Sequence, residues 1–363
     1  MKWRGAAAAA TTAKVKQPHV AIAVLCGTPG GPAWYGRRLV AALAATGEVR
    51  LTVVTDAPPH FDGLGVDVLD VPMRGGLDRL RWQHVAVPRA LRRVAPDVYH
   101  DTKNALPMVM PRPAVVTVHD LAYHTVPATF GFWSRTFLRR ATRDAVRRAR
   151  AVVVPSAATA HDLRRFHPEA APRVHVVPHG IDPAPDVGEA RRREVAQRLS
   201  LPDRYVLHVG TVQARKNVDL VVRAVRLLRA EGHALRALVV GRRGWLAERA
   251  VAEFVRDETA LWIEHVTSPD LPAVYAGAWA FVSPSAYEGF GFAVADALAA
   301  GVPTIVADSS SLPELCGDAA LRLPALTVEA IAANLRRLAA EPALAAQLAE
   351  RGRRRAAEFS WQA

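Results

Sequence analysis

Short apolar runs without alternation recur along the chain and are separated by stretches with helical spacing. Val20 to Leu25, Leu51 to Thr55, Val66 to Val71, Asp97 to His100, Ala114 to Val118, Ala151 to Val154 and Val174 to Val177 read as strands. Unbroken apolar runs suit strands buried on both faces, the condition of a parallel sheet. Helices are predicted over 36–46, 78–94 and 133–150, and Ser156 is placed to cap a helix running to Phe166. Pro178-His179-Gly180-Ile181-Asp182-Pro183-Ala184-Pro185 then forms a turn-rich joint.

After the joint the rhythm restarts. Strands are expected at Tyr205 to Val209, Leu235 to Val240, Leu261 to Val266, Trp279 to Ser283 and Thr304 to Ala307. Helices are expected from Val218 to Glu231, Trp245 to Asp257 and Asp296 to Ala300, with 327–358 helical and surface-exposed. Two strand–helix series predict an α/β protein of two Rossmann-like, doubly wound domains facing each other across a cleft, at 18–180 and 181–363. Residues 1–17 read as a disordered extension. A chain of 363 residues is long enough for two cores, and half of it is hydrophobic.

The charge of +13, from 47 basic and 34 acidic side chains, favours anionic partners. No aromatic–basic interleaving accompanies it, so a nucleic-acid binder is the weaker reading. Two distant cysteines, Cys26 and Cys316, suggest neither zinc nor a disulfide framework and fit a reducing cytoplasm. No apolar run approaches the roughly 18 to 20 residues of a membrane span. The segment 132–150 sets Trp133, Phe137, Ala141 and Ala145 among Arg135, Arg139, Arg140, Arg143, Arg147 and Arg148. An ordinary surface helix is favoured for it, with peripheral contact to an anionic membrane, at the inner face, as the second use.

Candidate chemistry collects where strands end. Tyr205 to Val209 runs into Gly210 and then Arg215-Lys216, a cation pair at a helix start that suits a diphosphate. Trp279 to Ser283 leads to Glu288, Gly289, Phe290, Gly291 and Phe292, whose glycines permit close backbone approach. A short non-helical turn there would bring Glu288 and Asp296 to the same cleft. His119 ends the strand at Val118, and Gly30 and Gly31 follow the first strand in a close-approach loop that is not a dinucleotide fingerprint. Gly241-Arg242-Arg243-Gly244 resembles the first basic turn but is less specific.

With these residues in hand, the chain resembles the retaining GT-B glycosyltransferases of family 4. The motifs are VVTVHDLAYHTVP (115–127), VVPSAATAHDL (153–163), VVPHGID (176–182), HVGTVQARKNVDLVVRA (208–224) and the stretch from Glu288 to Glu314. The resemblance implies a nucleoside-diphosphate sugar as donor and co-substrate, no metal and no other cofactor. The acceptor would be a saccharide, lipid-linked saccharide or glycoside. It assigns Arg215 and Lys216 to the donor diphosphate, and Glu288 to sugar hydroxyls with the amides of Gly289 to Phe292 beside it. Asp296 stands where the family has Glu against the ribose. His119 would face the reacting sugar, and Gly30 and Gly31 would line the phosphate side. Retention would follow from same-face attack with the leaving phosphate as base. Two departures stand out: Asp296 is one methylene short, and the chain stops at Ala363 before the expected final cross-over helix. A sugar-nucleotide epimerase and a member of impaired activity are the alternatives.

Overall fold

The computed structural model describes residues 17–27, 30–73, 76–110, 112–256 and 258–362. The expected extension therefore lies outside the described residues except for Gln17, whose side-chain amide donates to the Gly47 carbonyl at 2.5 Å. Thr28 and Pro29 of the first loop also lie outside them.

Two parallel sheets carry the architecture. The first holds β1 (His19–Val24), β2 (Arg50–Thr55), β3 (Asp67–Asp70), β4 (Val98–Asp101), β5 (Ala114–Thr117), β6 (Ala151–Val154) and β7 (Val174–Val176), in the order β3-β2-β1-β4-β5-β6-β7. The second holds β8 (Tyr205–Val209), β9 (Arg236–Val240), β10 (Ala260–Ile263), β11 (Ala280–Ser283), β12 (Thr304–Ala307) and β13 (Ala320–Leu323), in the order β10-β9-β8-β11-β12-β13. Each order reverses once, between β1 and β4 and between β8 and β11. Ligands of open α/β sheets bind beyond the strand ends at such reversals. Helices cover both faces, so central strands such as β11 are buried along their whole length.

The second half departs from expectation in several places. β13 and a helix at Glu189–Arg198 were not foreseen. The stretch 327–358 is not one exposed helical surface. It forms Val328–Ala340 and Pro342–Ala357, separated at Glu341 because proline has no N–H to continue the first helix. Ile331, Leu335 and Leu338 bury one face of the first helix against the second sheet, and Leu348 and Ala356 do so from the second. In the first half, the helix expected over 78–94 contains a π-turn at Trp82–Ala86, where Pro88 lacks the amide that would pair one turn back.

The lobes touch closely along one edge of the cleft. Ser156 Oγ and Thr159 Oγ1 of the first lobe donate to the Gly289 carbonyl at 2.8 and 3.3 Å. Tyr287 donates to Asp162 at 2.7 Å, and on the far side Trp245 Nε1 donates to the Thr129 carbonyl at 2.8 Å. The Glu314 carboxylate accepts from the amides of Ala157 and Ala158 at 2.9 and 3.3 Å, so a second-lobe acid caps the positive start of helix Ala157–Phe166. The chain's last described stretch also returns to the joint. Ile181 N donates to the Phe359 carbonyl at 2.6 Å, and the Trp361 ring packs on Gly180, Trp34 and Tyr35.

Gly289 is the tightest point. A Cβ there would lie 1.7 Å from the His119 carbonyl oxygen, inside any allowed contact. Gly289→Ala is expected to force the lobes apart at a cost of ~1–3 kcal/mol, the range for overpacking. Thermal unfolding and small-angle scattering check this, and an unchanged midpoint with an unchanged radius of gyration would contradict it.

Candidate active site between the lobes

The cation pair is built by the turn after β8. Gly210 takes φ 148°, and Gly241 packs so close that a Cβ on it would sit 2.0 Å from the Gly210 carbonyl. Ala214–Lys216 makes one 3₁₀ turn, and Asn217 adopts a left-handed φ of 49° while its side chain donates to the Pro284 carbonyl at 2.9 Å. Helix Val218–Ala230 starts there. The turn aims Arg215 and Lys216 inward, leaving their side chains 15% and 13% exposed.

Glu288 meets them from the turn after β11. Its backbone N donates to Ser310 Oγ at 2.8 Å, and its side chain is buried. Lys216 Nζ contacts Glu288 Oε1, and Arg215 Nη1 lies 3.3 Å from Oε2 and 2.5 Å from the Tyr287 carbonyl. Burial alone would raise the Glu288 pKa, but Lys216 and then Arg215 outweigh it and hold the acid at about 2. Burial lowers Lys216 from its usual range, opposed by Glu288. Lys216 has three N–H donors, of which Glu288 takes one, so the ammonium still has donors for a second anion.

These groups line an interlobe cleft of about 340 Å³. Gly30, Gly31 and His119 face it from the first lobe; Gly210, Arg215, Lys216 and Glu288 to Phe292 face it from the second. Eleven of the twelve positions singled out in the sequence thus come together. Asp296 is the exception. It sits one turn into helix Phe292–Ala299, partly buried and outside the cleft lining. Burial, reinforced by the carboxylate of Asp182, pushes its pKa up to about 7. Gly241 and Gly244 serve packing against the turn after β8, while Arg242 and Arg243 are exposed.

His119 occupies the predicted wall, yet both ring nitrogens are engaged: Nε2 with the Thr102 carbonyl at 2.8 Å and Nδ1 with His179 Nε2 at 3.3 Å. His179 was read only as part of the joint. It is 2% exposed, lines the cleft and stacks on Phe292 with centroids 5.0 Å apart. Asp120, Thr211 and Gln213 also line the cleft without having been singled out as ligands. Among the described residues no three His, Cys, Asp or Glu side chains cluster as metal ligands would.

Chemically, the cleft offers fixed cationic donors, a helix start at Phe292 and an acid that its paired cations hold ionised at neutral pH. That set can hold a phosphorylated ligand by its anion and its hydroxyls at once.

Comparison with known proteins agrees with this geometry. Residues 191–355 match the family model described as glycosyl transferases group 1, and residues 29–185 match glycosyltransferase family 4. The chain is 29% identical over 280 residues to O-antigen chain mannosyltransferase B of Escherichia coli, covering 75% of this chain and 73% of that protein. It is 29% identical over 272 residues to the MMP alpha-(1->4)-mannosyltransferase of Mycolicibacterium hassiacum, covering 69% and 62%. Among solved structures, sucrose-phosphate synthase from Thermosynechococcus elongatus superposes with a TM-score of 0.75 at 22% identity, covering 95% of this chain and 96% of that one. An Anabaena protein in complex with UDP-glucose gives 0.76 at 17% identity, covering 94% and 96%. Two facing Rossmann-like lobes, two adjoining family matches and relatives named as mannosyltransferases agree: this chain belongs to the group 1 glycosyltransferases of GT-B fold.

Proposed function

We propose that the protein transfers a hexose of the mannose or glucose type, with retention, from a nucleoside-diphosphate sugar to a saccharide, lipid-linked saccharide or glycoside. The observation that carries this is the buried Arg215–Lys216–Glu288 cluster facing His119 across the interlobe cleft. Negative charge gathers on the leaving diphosphate as the glycosidic bond breaks. Arg215 and Lys216 are already in place, in a space that excludes most water, to stabilise it. That is the work a divalent ion would otherwise do. Glu288 accepts sugar hydroxyls while remaining ionised, and the glycines at 289 and 291 let the backbone approach the ring. In this reading the leaving phosphate takes the proton of the incoming hydroxyl on the same face. The mannosyltransferase relatives favour a mannose-type donor.

The reading extends to location. Among the described residues no helix is long and apolar enough to cross a membrane. Helix Phe132–Arg148 instead holds Trp133 81% exposed beside exposed Phe132 and Phe137, over a hollow of about 340 Å³ that includes Leu106 and Arg140. Aromatic rings set among arginines suit the headgroup layer of an anionic bilayer. The protein would then work in the cytoplasm, against the inner membrane face.

A thermal-shift panel of sugar nucleotides tests the donor, since a saturating ligand stabilises by RT ln(1 + [L]/Kd); no response to any donor would sink the proposal. With the donor known, Lys216→Ala is expected to lower kcat on the order of 10²-fold with the fold intact, the scale of one lost oxyanion donor. Wild-type turnover in that variant would remove the diphosphate role. Turnover should also survive EDTA, and metal dependence would contradict charge neutralisation by the pair.

Asp296 gives a pH test. Its folded pKa, about 7, exceeds the ordinary value, so the folded state binds more protons and stability falls as pH rises through that window. Asp296→Asn is expected to melt higher than wild type at pH 8, by ~2–4 °C per kcal/mol recovered. Equal melting at pH 8 would show that the carboxyl is already ionised at no cost.

For the membrane face, vesicles containing phosphatidylglycerol should co-sediment the protein and pure phosphatidylcholine vesicles should not. Arg140→Gln should weaken binding by about 1 kcal/mol, the worth of one cation near an anionic surface. Equal binding to both vesicle types would refute the contact.

A further inference from the structure

The two histidines at the joint are locked into one protonation pattern by what surrounds them. A backbone carbonyl only accepts, so the 2.8 Å contact between His119 Nε2 and the Thr102 oxygen places a proton on Nε2. Burial keeps His119 below its ordinary pKa, so the ring is neutral and Nδ1 is bare. That bare nitrogen faces His179 Nε2 at 3.3 Å, which must therefore carry the proton of the second ring. His179 is held neutral by its own burial and then by His119. Its Nδ1 is left as a buried lone pair with no hydrogen-bond partner.

The surroundings keep that lone pair unprotonated. His179 is enclosed by Phe292 in parallel stacking, by Tyr35 at 4.3 Å and by Phe290 at 5.2 Å. The Tyr35 hydroxyl is engaged with Thr117 Oγ1 at 3.3 Å, and the nearby Trp361 Nε1 is itself a donor. None of these rings accepts an N–H in its plane. Around His119 the titratable neighbours oppose one another: Asp120 favours its charge, while Lys103 disfavours it. His100, neutral and bonded to Thr117 Oγ1 at 2.8 Å, adds no countercharge.

We propose that His179 is a positioning residue that holds His119 neutral and in its Nε2–H tautomer at the sugar side of the cleft. This deepens the transferase reading and rests on it for its purpose. Glycosyl transfer builds positive charge on the sugar ring as the bond to phosphate breaks. A cationic imidazole on that wall would repel the developing charge, and a ring free to flip would lose its fixed edge. The hydrogen bond from His179 prevents both. His119 does not have to leave the Thr102 carbonyl for this to operate.

Selectively ¹⁵N-histidine-labelled full-length protein tests the inference without any substrate. Long-range proton–nitrogen spectra, assigned with His119→Gln and His179→Asn, are expected to give both rings as neutral Nε2–H tautomers. Both should stay neutral at pH 6, below the ordinary histidine pKa of about 6.5. An Nδ1–H tautomer at either ring, or a charged His119 at that pH, overturns the proposal. In His179→Leu the Thr102 carbonyl should still hold the proton on His119 Nε2, while Nδ1, no longer faced by a donor, should take up a proton nearer the ordinary range. His179→Asn, which restores a side-chain N–H, should recover the wild-type pattern. With GDP-mannose or UDP-glucose as donor probe, His179→Leu is expected to lower kcat on the order of tenfold, the rate equivalent of about 1.4 kcal/mol. The acid limb of its pH profile should move upward, with KM little changed. An unchanged limb in an active, folded His179→Leu variant also refutes the role. If neither donor is turned over, the spectra still decide this inference, and the failure counts only against the donor assignment.

Discussion

Two cations and one carboxylate share a space from which water is largely excluded, and the rest of the architecture makes that arrangement tolerable. Any one of the three charges buried alone would be costly, and removing one partner strands the others. Arg215 and Lys216 are therefore held by a turn that permits little alternative geometry, with a left-handed Asn217 behind it and Gly241 wedged beneath it. Glu288 is pinned from the other direction, through Ser310 at its amide and Ser311 at its carbonyl. The result is a site whose charges are set before a ligand arrives, so little reorganisation is left for the reaction itself.

The same logic governs the boundary between the lobes. The Gly289 carbonyl is the shared acceptor of Ser156 and Thr159, and its α-carbon meets the His119 carbonyl where no side chain would fit. The residue after the key acid is thus also the point at which the lobes register. Aromatic packing extends that contact through Phe292, His179, Trp34 and Trp361. Chemistry and closure depend on the same few residues of the β11 turn.

Much of this was legible in the residues, for physical reasons. Apolar runs buried on both faces can only be central strands of a covered parallel sheet, and β8, β11 and β12 were placed almost to the residue. The cation pair and Glu288 were legible because glycines and charges crowd strand ends there. What stayed hidden depends on tertiary contact. β13, reading Ala-Leu-Arg-Leu, mixes a charge into four residues and pairs only with β12. Asp296 shares a short sequence interval with Glu288, but Gly291, with φ 101°, starts the helix along a direction that turns its carboxyl toward Asp182. The partnership of His119 and His179 joins residues sixty apart and leaves no trace in local spacing.

Glu314 has a consequence for modularity. The first turn of helix Ala157–Phe166 takes its anion from the opposite half of the chain, so the first half presents an electrostatic socket that the second fills. Exchanging one half for that of a cousin would preserve both sheets and still leave a helix dipole unanswered, unless the acid and the helix start were transplanted together. Recombination within such a lineage is constrained by this small fit as well as by the active centre.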